Sequence, residues 1–581
     1  MKPLRWRELL LSLLFYAVLF VLFSWPLAAH FSTAYLGRPG NDANQYVWNA
    51  YNFHRQVLAG HNPFFTDLLL YPRGTSLVMH TYTPVIGLLN VPLGHEILAV
   101  NVALLLSFTL SGVGAYRLCR RWVDNPVLCL LAGVLFAFSG YKLAHLPDHY
   151  HLLLTAPAPF YIYAFLEAFR FREGRFVPQV RRWGQVALCA ALGIITLLSD
   201  YYTLFGLLYF SLGYALYYAL RLGSINWRRP RPWIVLVVVL VGCHIGSRML
   251  KLAGVPDNSG FWWGGDLAGY LLPPPHSRWL STTATERLLN SSRFNSPGSV
   301  ENIMFLGYVL PLLALFTLVG LRGYSTLRRD EDRGGRALPG LALLFFMLTL
   351  PAVRVFGKEV LRLPTGLLHY VPFFNNIRCP TRHVAYLSLL LPIVVFAALD
   401  PWLRARLRPA ARLGVSVGLL GLVLLELQPK EQPLLKLADV PAAYLAAAQL
   451  PGDVLFPVPF GLLDGYRKVG QMDGDDLFYQ TRHHKKLPGA YISRVPAEVF
   501  ASFDQDSVMH TLLTLQEHPD TTLQRPSAAA VREFLRVYHP AAFIVAPQFR
   551  GSAVHRYLRE AMPAQGYREE QIGEYVLLRR Q

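Results

Sequence analysis

Charge is scarce in this sequence. Only 16% of its 581 residues are charged, 53% are hydrophobic, and mean hydropathy is +0.31. Soluble chains run nearer 25% charged, so the length is not that of a string of soluble domains. Cysteine is scarcer still. There are five, Cys119, Cys129, Cys189, Cys243 and Cys379, and none in residues 428–581. Neither a disulfide framework nor a zinc-ribbon spacing can be built from them. The P-loop, G-x-G-x-x-G, H-E-x-x-H and G-x-S-x-G patterns are missing, which leaves ATP-driven and hydride chemistry without a motif. Internal repeats and low-complexity tracts are missing as well, and a composition this apolar excludes coiled coil, collagen and disorder.

What the chain has instead is long apolar blocks. Eleven of them fit membrane-spanning helices: 9–29, 97–118, 127–144, 151–170, 184–199, 202–220, 233–250, 303–321, 339–355, 384–399 and 412–427. Segment 84–94 is apolar but short and proline-flanked; it either re-enters the membrane or lengthens the second span. The net charge of +19 sits between the blocks. Six short segments, 1–8, 117–126, 167–183, 221–232, 322–338 and 400–412, hold 24 Lys and Arg against 8 acidic residues. Residues 428–581 hold 17 of each sign. Short basic loops alternating with long or charge-poor ones follow the positive-inside pattern. No single domain has the basic face that nucleic acid needs.

The basic segments are therefore expected in the cytoplasm, with the N-terminus. Loops 30–83, 251–302 and 356–383 and the tail are expected outside. Lys2, Arg5 and Arg7 precede the first block as in a signal peptide, but the block is too long for one and no cleavage site follows. It is expected to stay as the first span. The domains are then a transmembrane domain, 1–427, and a small extracytoplasmic α/β domain, 428–581. In the latter, helices are expected near 439–450, 527–538 and 554–562, and strands near 454–458, 541–545 and 575–578.

In the first outer loop, Tyr46, Ala50, Phe53 and Val57 recur at i, i+4, i+7 and i+11. That spacing predicts an amphipathic helix lying on the membrane surface. Directly before it, Gly40-Asn41-Asp42-Ala43-Asn44 puts Asp42 at a helix N-terminus, whose partial positive charge favours the ionised form. Two readings stand for Asp42: a general base for an acceptor hydroxyl or amine, or a plain N-cap.

Ionisable groups at the outer ends of spans mark a site by default. Here they are Asp42, Asp67, Glu96, Asp148, Asp200, Asp257, Asp266 and Glu301. His145, Asp148, His149 and His151 cluster after the third span, where they bind a divalent metal, bind a sugar or face water. Asp200, in Ser199-Asp200-Tyr201-Tyr202, is either an acidic–aromatic edge suited to sugar or a hydrated helix end.

A first outer loop with an acidic residue soon after span one, then a helix, then more spans, is similar to the GT-C membrane glycosyltransferases. These include the protein O-mannosyltransferases, the aminoarabinose transferases of lipid A and the oligosaccharyltransferase catalytic subunit. Residues 41–84, with the stretch from Asn62-Pro63-Phe64-Phe65 to Tyr71-Pro72, resemble large bacterial membrane proteins grouped with that class. So do Glu301-Asn302-Ile303-Met304-Phe305-Leu306-Gly307, Arg378-Cys379-Pro380-Thr381-Arg382, and the stretch from Tyr479-Gln480-Thr481-Arg482 to Tyr491-Ile492-Ser493-Arg494. The resemblance implies sugar transfer from a polyprenyl-phosphate donor on the outer face, with Asp42 as base. Two departures stand out. Asp42 is followed by Ala43 rather than the Glu usual in the mannosyl and aminoarabinosyl transferases. Trp262-Trp263-Gly264-Gly265-Asp266 is misspaced against the oligosaccharyltransferase signature and lies in mid-chain.

Such a donor needs a fixed cation on its phosphate, and arginine supplies one bidentately. Arg378 and Arg382 are the candidates, the alternative being that they anchor a span at the headgroups. Asp148, His149, Asp200 and Glu301 are the further candidates for substrate binding. Residues 479–482, His483, His484, Lys485 and Lys486 form a polar, cationic stretch that either closes over the site and selects the acceptor or is a solvated loop.

The expected protein is thus an α-helical polytopic membrane protein with about eleven spans and a small C-terminal α/β domain. It sits in the bacterial plasma membrane and inverts the anomeric centre as it moves a sugar to an extracytoplasmic glycan, lipid or protein. Its expected partners are membrane lipid, the donor and the acceptor; whether a divalent metal takes part stays open. The rivals are a lipid-linked glycan flippase or transporter and a non-catalytic envelope scaffold.

Overall fold

The computed structural model describes residues 6–257, 260–294, 296–321, 324–329, 334–465, 467–521 and 523–581. Lys2 and Arg5 of the first basic segment, and Arg322 and Arg333 of the fifth, lie outside the described residues. Each of the eleven expected segments contains a helix. Six helices are long and apolar enough to cross a membrane, the make-up of a multi-pass membrane protein: Trp6–Phe23, Glu96–Cys119, Pro126–His145, Pro230–Leu252, Pro380–Arg406 and Pro409–Leu427. Others are shorter: Pro157–Ala168, Trp183–Leu197, Val309–Gly320 and Leu338–Thr349. Proline accounts for several starts. Pro126, Pro157, Pro230 and Pro409 open their helices, where the missing N–H costs nothing. Segment 84–94 is a helix of its own, Pro84–Leu93, and Gly94 ends it in the left-handed region.

The chain divides into two compact units. The first comprises Met1–Trp25, Leu104–Leu146 and Leu152–Gln432. It is mainly helical, and small residues let its helices approach closely. Tyr16 donates to Leu130 O at 2.9 Å. A Cβ at Gly112 would lie 2.6 Å from the Tyr16 ring, and one at Gly133 would collide with its hydroxyl.

The second unit comprises Pro26–Ala103, Pro147–His151 and Pro433–Gln581. The expected boundary at 427/428 falls near the junction at Gln432/Pro433. The first outer loop, however, folds with the C-terminal segment, together with the following helix Pro84–Leu93. Ala34–Leu36 pairs antiparallel with Leu434–Lys436. A four-stranded sheet runs in the order Tyr567–Ile572, Tyr575–Arg580, Pro540–Val545, Val454–Val458. Its last two strands are parallel and fully buried, so both read as continuous apolar runs. Pro457 fits because Val454–Val458 is the edge strand. A second sheet orders Lys468–Gly470, Gly461–Leu463 and Ala490–Tyr491.

The predicted amphipathic helix is Ala43–Leu58, but it does not lie on a surface by one face. Ala43 to Ala50 are all buried, as are Asn52, Phe53 and Gln56. It packs on Pro84–Leu93 and on Asp475–His483. Several of its polar side chains are held by partners from elsewhere in the chain. Asn49 donates to Thr81 O at 2.9 Å and Asn52 to the Tyr82 hydroxyl at 2.9 Å. Trp48 Nε1 donates to Gln480 Oε1 at 2.5 Å, and Gln480 Nε2 donates to Leu68 O and Lys485 O.

Candidate functional site

Asp42 occupies the N-cap of Ala43–Leu58, yet its carboxylate makes no capping bond. Instead Oδ1 accepts from the Tyr491 hydroxyl, and Oδ2 faces His149 Nε2 at 3.3 Å. The Asp42 side chain is 25% exposed and that of His149 21%, so the pair is reachable from outside. Burial, then the Asp42 charge, pushes the Tyr491 phenol up, which keeps it protonated and a donor.

The segment around Asp42 is pinned from three sides. Asp475 Oδ1 accepts from Gly40 N at 2.8 Å and from Asn44 Nδ2 at 2.6 Å. The Tyr35 hydroxyl donates to Asn44 Oδ1 at 2.5 Å. Asn41 Nδ2 donates to Asp148 Oδ1 at 2.5 Å, and Arg38 approaches Asp148 Oδ2 at 4.0 Å. Burial raises Asp475, with the bond from Gly40 N opposing. Tyr491 is held in turn: two residues on, Ser493 N donates to His80 Nδ1 at 3.1 Å. His80 is buried, and burial pushes it down to about 3, so it is neutral and accepts.

Of the sequence-predicted residues, Asp42, Asp148 and His149 therefore meet in one unit. The cluster of His145, Asp148, His149 and His151 divides between the two units: the His149 and His151 rings lie 6.0 Å apart in the second. His151 Nδ1 pairs with the Tyr46 hydroxyl at 2.5 Å, and His145 belongs to the other unit, where Nδ1 meets Tyr141 O at 2.9 Å. Among the described residues no group of three or more His, Cys, Asp or Glu side chains is set to hold a metal. Tyr491 is not among the sequence-predicted site residues. Its one signal in the sequence is the family resemblance of the stretch 489–494. The cationic stretch is only partly solvated: Asp475–His483 is a helix with His483 buried, Lys485 is buried beyond it, and His484 is exposed.

Glu301, Arg378, Arg382 and Asp200 lie in the first unit. Arg382 is engaged by Glu301 through Nε at 3.0 Å and Nη2 at 2.5 Å, and stacks over Tyr202 at 4.5 Å. His145 Nε2 lies 3.7 Å from the same carboxylate. Burial acts to raise Glu301, but Arg382 and then His145 hold it well below the usual carboxylate range. Arg378 is half-buried on the same segment. Asp200 is neither a sugar-facing edge nor a hydrated end. It is 5% exposed and caps Tyr201–Ala219, accepting from Thr203 N at 2.6 Å and the Thr203 hydroxyl at 2.8 Å.

A family model described as "Domain of unknown function (DUF6311)" matches residues 11–427. No curated protein matches the sequence. Similar solved structures include the archaeal oligosaccharyltransferase AglB from Archaeoglobus fulgidus, in complex with an inhibitory peptide and a dolichol-phosphate. It is 10% identical, with a TM-score of 0.45 over 98% of this chain and 73% of that one. The apo form of the Archaeoglobus fulgidus oligosaccharyltransferase gives 12%, 0.44, 98% and 73%. ArnT from Cupriavidus metallidurans in the apo state gives 13%, 0.40, 98% and 97%.

Proposed function

We propose that this chain, which belongs to the DUF6311 family, is a membrane glycosyltransferase of the GT-C type, with Asp42 as its general base. The observation that carries the reading is the carboxylate at a helix N-cap that leaves the cap unmade and turns to Tyr491 and His149. An aspartate kept only for helix capping bonds to the amides of the first turn. The sequence resemblance to GT-C enzymes adds to that geometry.

The donor is a sugar on polyprenyl phosphate, and the acceptor is an extracytoplasmic glycan, lipid or protein. The acceptor oxygen bonds to the anomeric carbon as the bond from that carbon to the phosphate oxygen breaks. The acceptor's proton passes to Asp42 Oδ2, polyprenyl phosphate departs, and attack opposite the leaving group inverts the centre. Tyr491 holds Oδ1, so the accepting oxygen keeps one direction. Arg378 is the proposed cation for the donor phosphate. Arg382, committed to Glu301, steadies the segment that carries Arg378. On this reading the protein spans the bacterial plasma membrane with its N-terminus in the cytoplasm and residues 428–581 outside.

The test is Asp42→Asn in the purified full-length protein, offered a polyprenyl-phosphate sugar and an acceptor extract. Transfer falls by about 10² to 10⁴, the usual worth of a positioned base, while thermal unfolding stays as in the wild type. Retained turnover removes Asp42 from the reaction.

A further inference from the structure

The first unit holds a well-defined cleft. It measures about 370 Å³, and its lining includes Asp124, Asn125, Arg404, Pro409, Arg412 and Leu413. That volume lies in the range of small-ligand sites. Segment 400–412 brings Arg404, Arg406, Arg408 and Arg412 against Asp400 alone.

Within the cleft the charges are unevenly matched. Arg404 is neutralised twice, its Nη2 lying 2.5 Å from Asp400 Oδ2 and 2.7 Å from Asp124 Oδ2. Asp400 Oδ2 also accepts from Asp124 N at 2.8 Å. Arg412 makes no ion pair and no side-chain hydrogen bond among the described residues. It sits in the first turn of Pro409–Leu427, whose N-terminal end adds partial positive charge. On the same helix Leu413 and Val417, one turn apart on one side, are each more than half exposed. An unmatched cation at the head of an exposed apolar helix face is the arrangement a lipid meets headgroup first, chains alongside.

We propose that this cleft binds the phosphodiester headgroup of an anionic membrane lipid. The phosphate meets Arg412, and the acyl chains lie along the exposed face of Pro409–Leu427. The net negative charge of the headgroup is what Arg412 selects, since Arg404 already has its carboxylates.

The test titrates the full-length protein in detergent with phosphatidylglycerol, phosphatidylcholine or inorganic phosphate, and reads thermal unfolding by tryptophan fluorescence. Phosphatidylglycerol raises the midpoint saturably, and phosphatidylcholine raises it less. Arg412→Gln weakens the apparent affinity about fivefold, the change expected for one arginine at a lipid surface, and Arg412→Lys restores most of it. Leu413→Glu, at an exposed position beside the cleft, abolishes the shift by like-charge repulsion. Wild-type affinity in both Arg412→Gln and Leu413→Glu overturns the proposal. So does an equal shift from phosphatidylcholine, or an equal shift from inorganic phosphate at the same concentration.

Discussion

At the scale of single residues, one bond separates two uses of an aspartate. Asp42 holds the N-cap position of a 16-residue helix, and its carboxylate is bound by a phenol and faced by an imidazole instead. Tyr491 thereby becomes a positioning residue. A hydrogen bond to a charged acceptor is worth about 1.5–3 kcal/mol, which is roughly 10- to 100-fold in rate if the bond holds Asp42 in its reacting direction. Tyr491→Phe should therefore lower kcat by about that factor and leave the donor KM near its wild-type value. A loss confined to KM would show that Tyr491 serves binding rather than the alignment of Asp42.

At the scale of elements, two backbone amides of the C-terminal segment are held by histidines that must stay neutral. His80 accepts from Ser493 N, and His483, in the neighbouring helix Asp475–His483, accepts from Lys485 N at 3.0 Å. Burial pushes each down to about 3 from the usual 6.5. Between those values the unfolded chain binds more protons than the folded one, so stability falls as pH drops through that window and is complete above 6.5. The expected outcome is a melting temperature that declines steadily below pH 6.5, with a shallower decline in His80→Gln. An unchanged slope in that variant would take His80 out of the titration. The amphipathic period of Ala43–Leu58 was legible in the sequence. Its burial was not, because a polar face reads as solvated until its partners, Thr81, Tyr82 and Gln480, are brought in from elsewhere in the chain.

At the scale of the whole molecule, residues 26–103 and 433–581 form one unit. A chain ending at Gln432 loses the strand partner of Ala34–Leu36, the Asp475 anchor of Gly40 and the donor to Asp42. Limited proteolysis of that truncation should cut rapidly within residues 30–83, which the full chain protects; equal protection would show that the first loop folds unaided. The apolar blocks, the basic segments and the strands at 454–458 and 541–545 were all readable in the sequence. Each rests on a local pattern: run length, charge spacing or a short apolar stretch bounded by turn residues. The candidate site was readable only at Asp42, Asp148 and His149. What tertiary structure alone decided is that a tyrosine 449 positions away in sequence bonds to Asp42, that Arg382 is committed to Glu301 and that Asp200 is a cap. The reason is physical. Hydrophobic runs and charge bias act through composition over tens of residues, whereas a hydrogen bond depends on a few ångströms between side chains whose nearness no local pattern records.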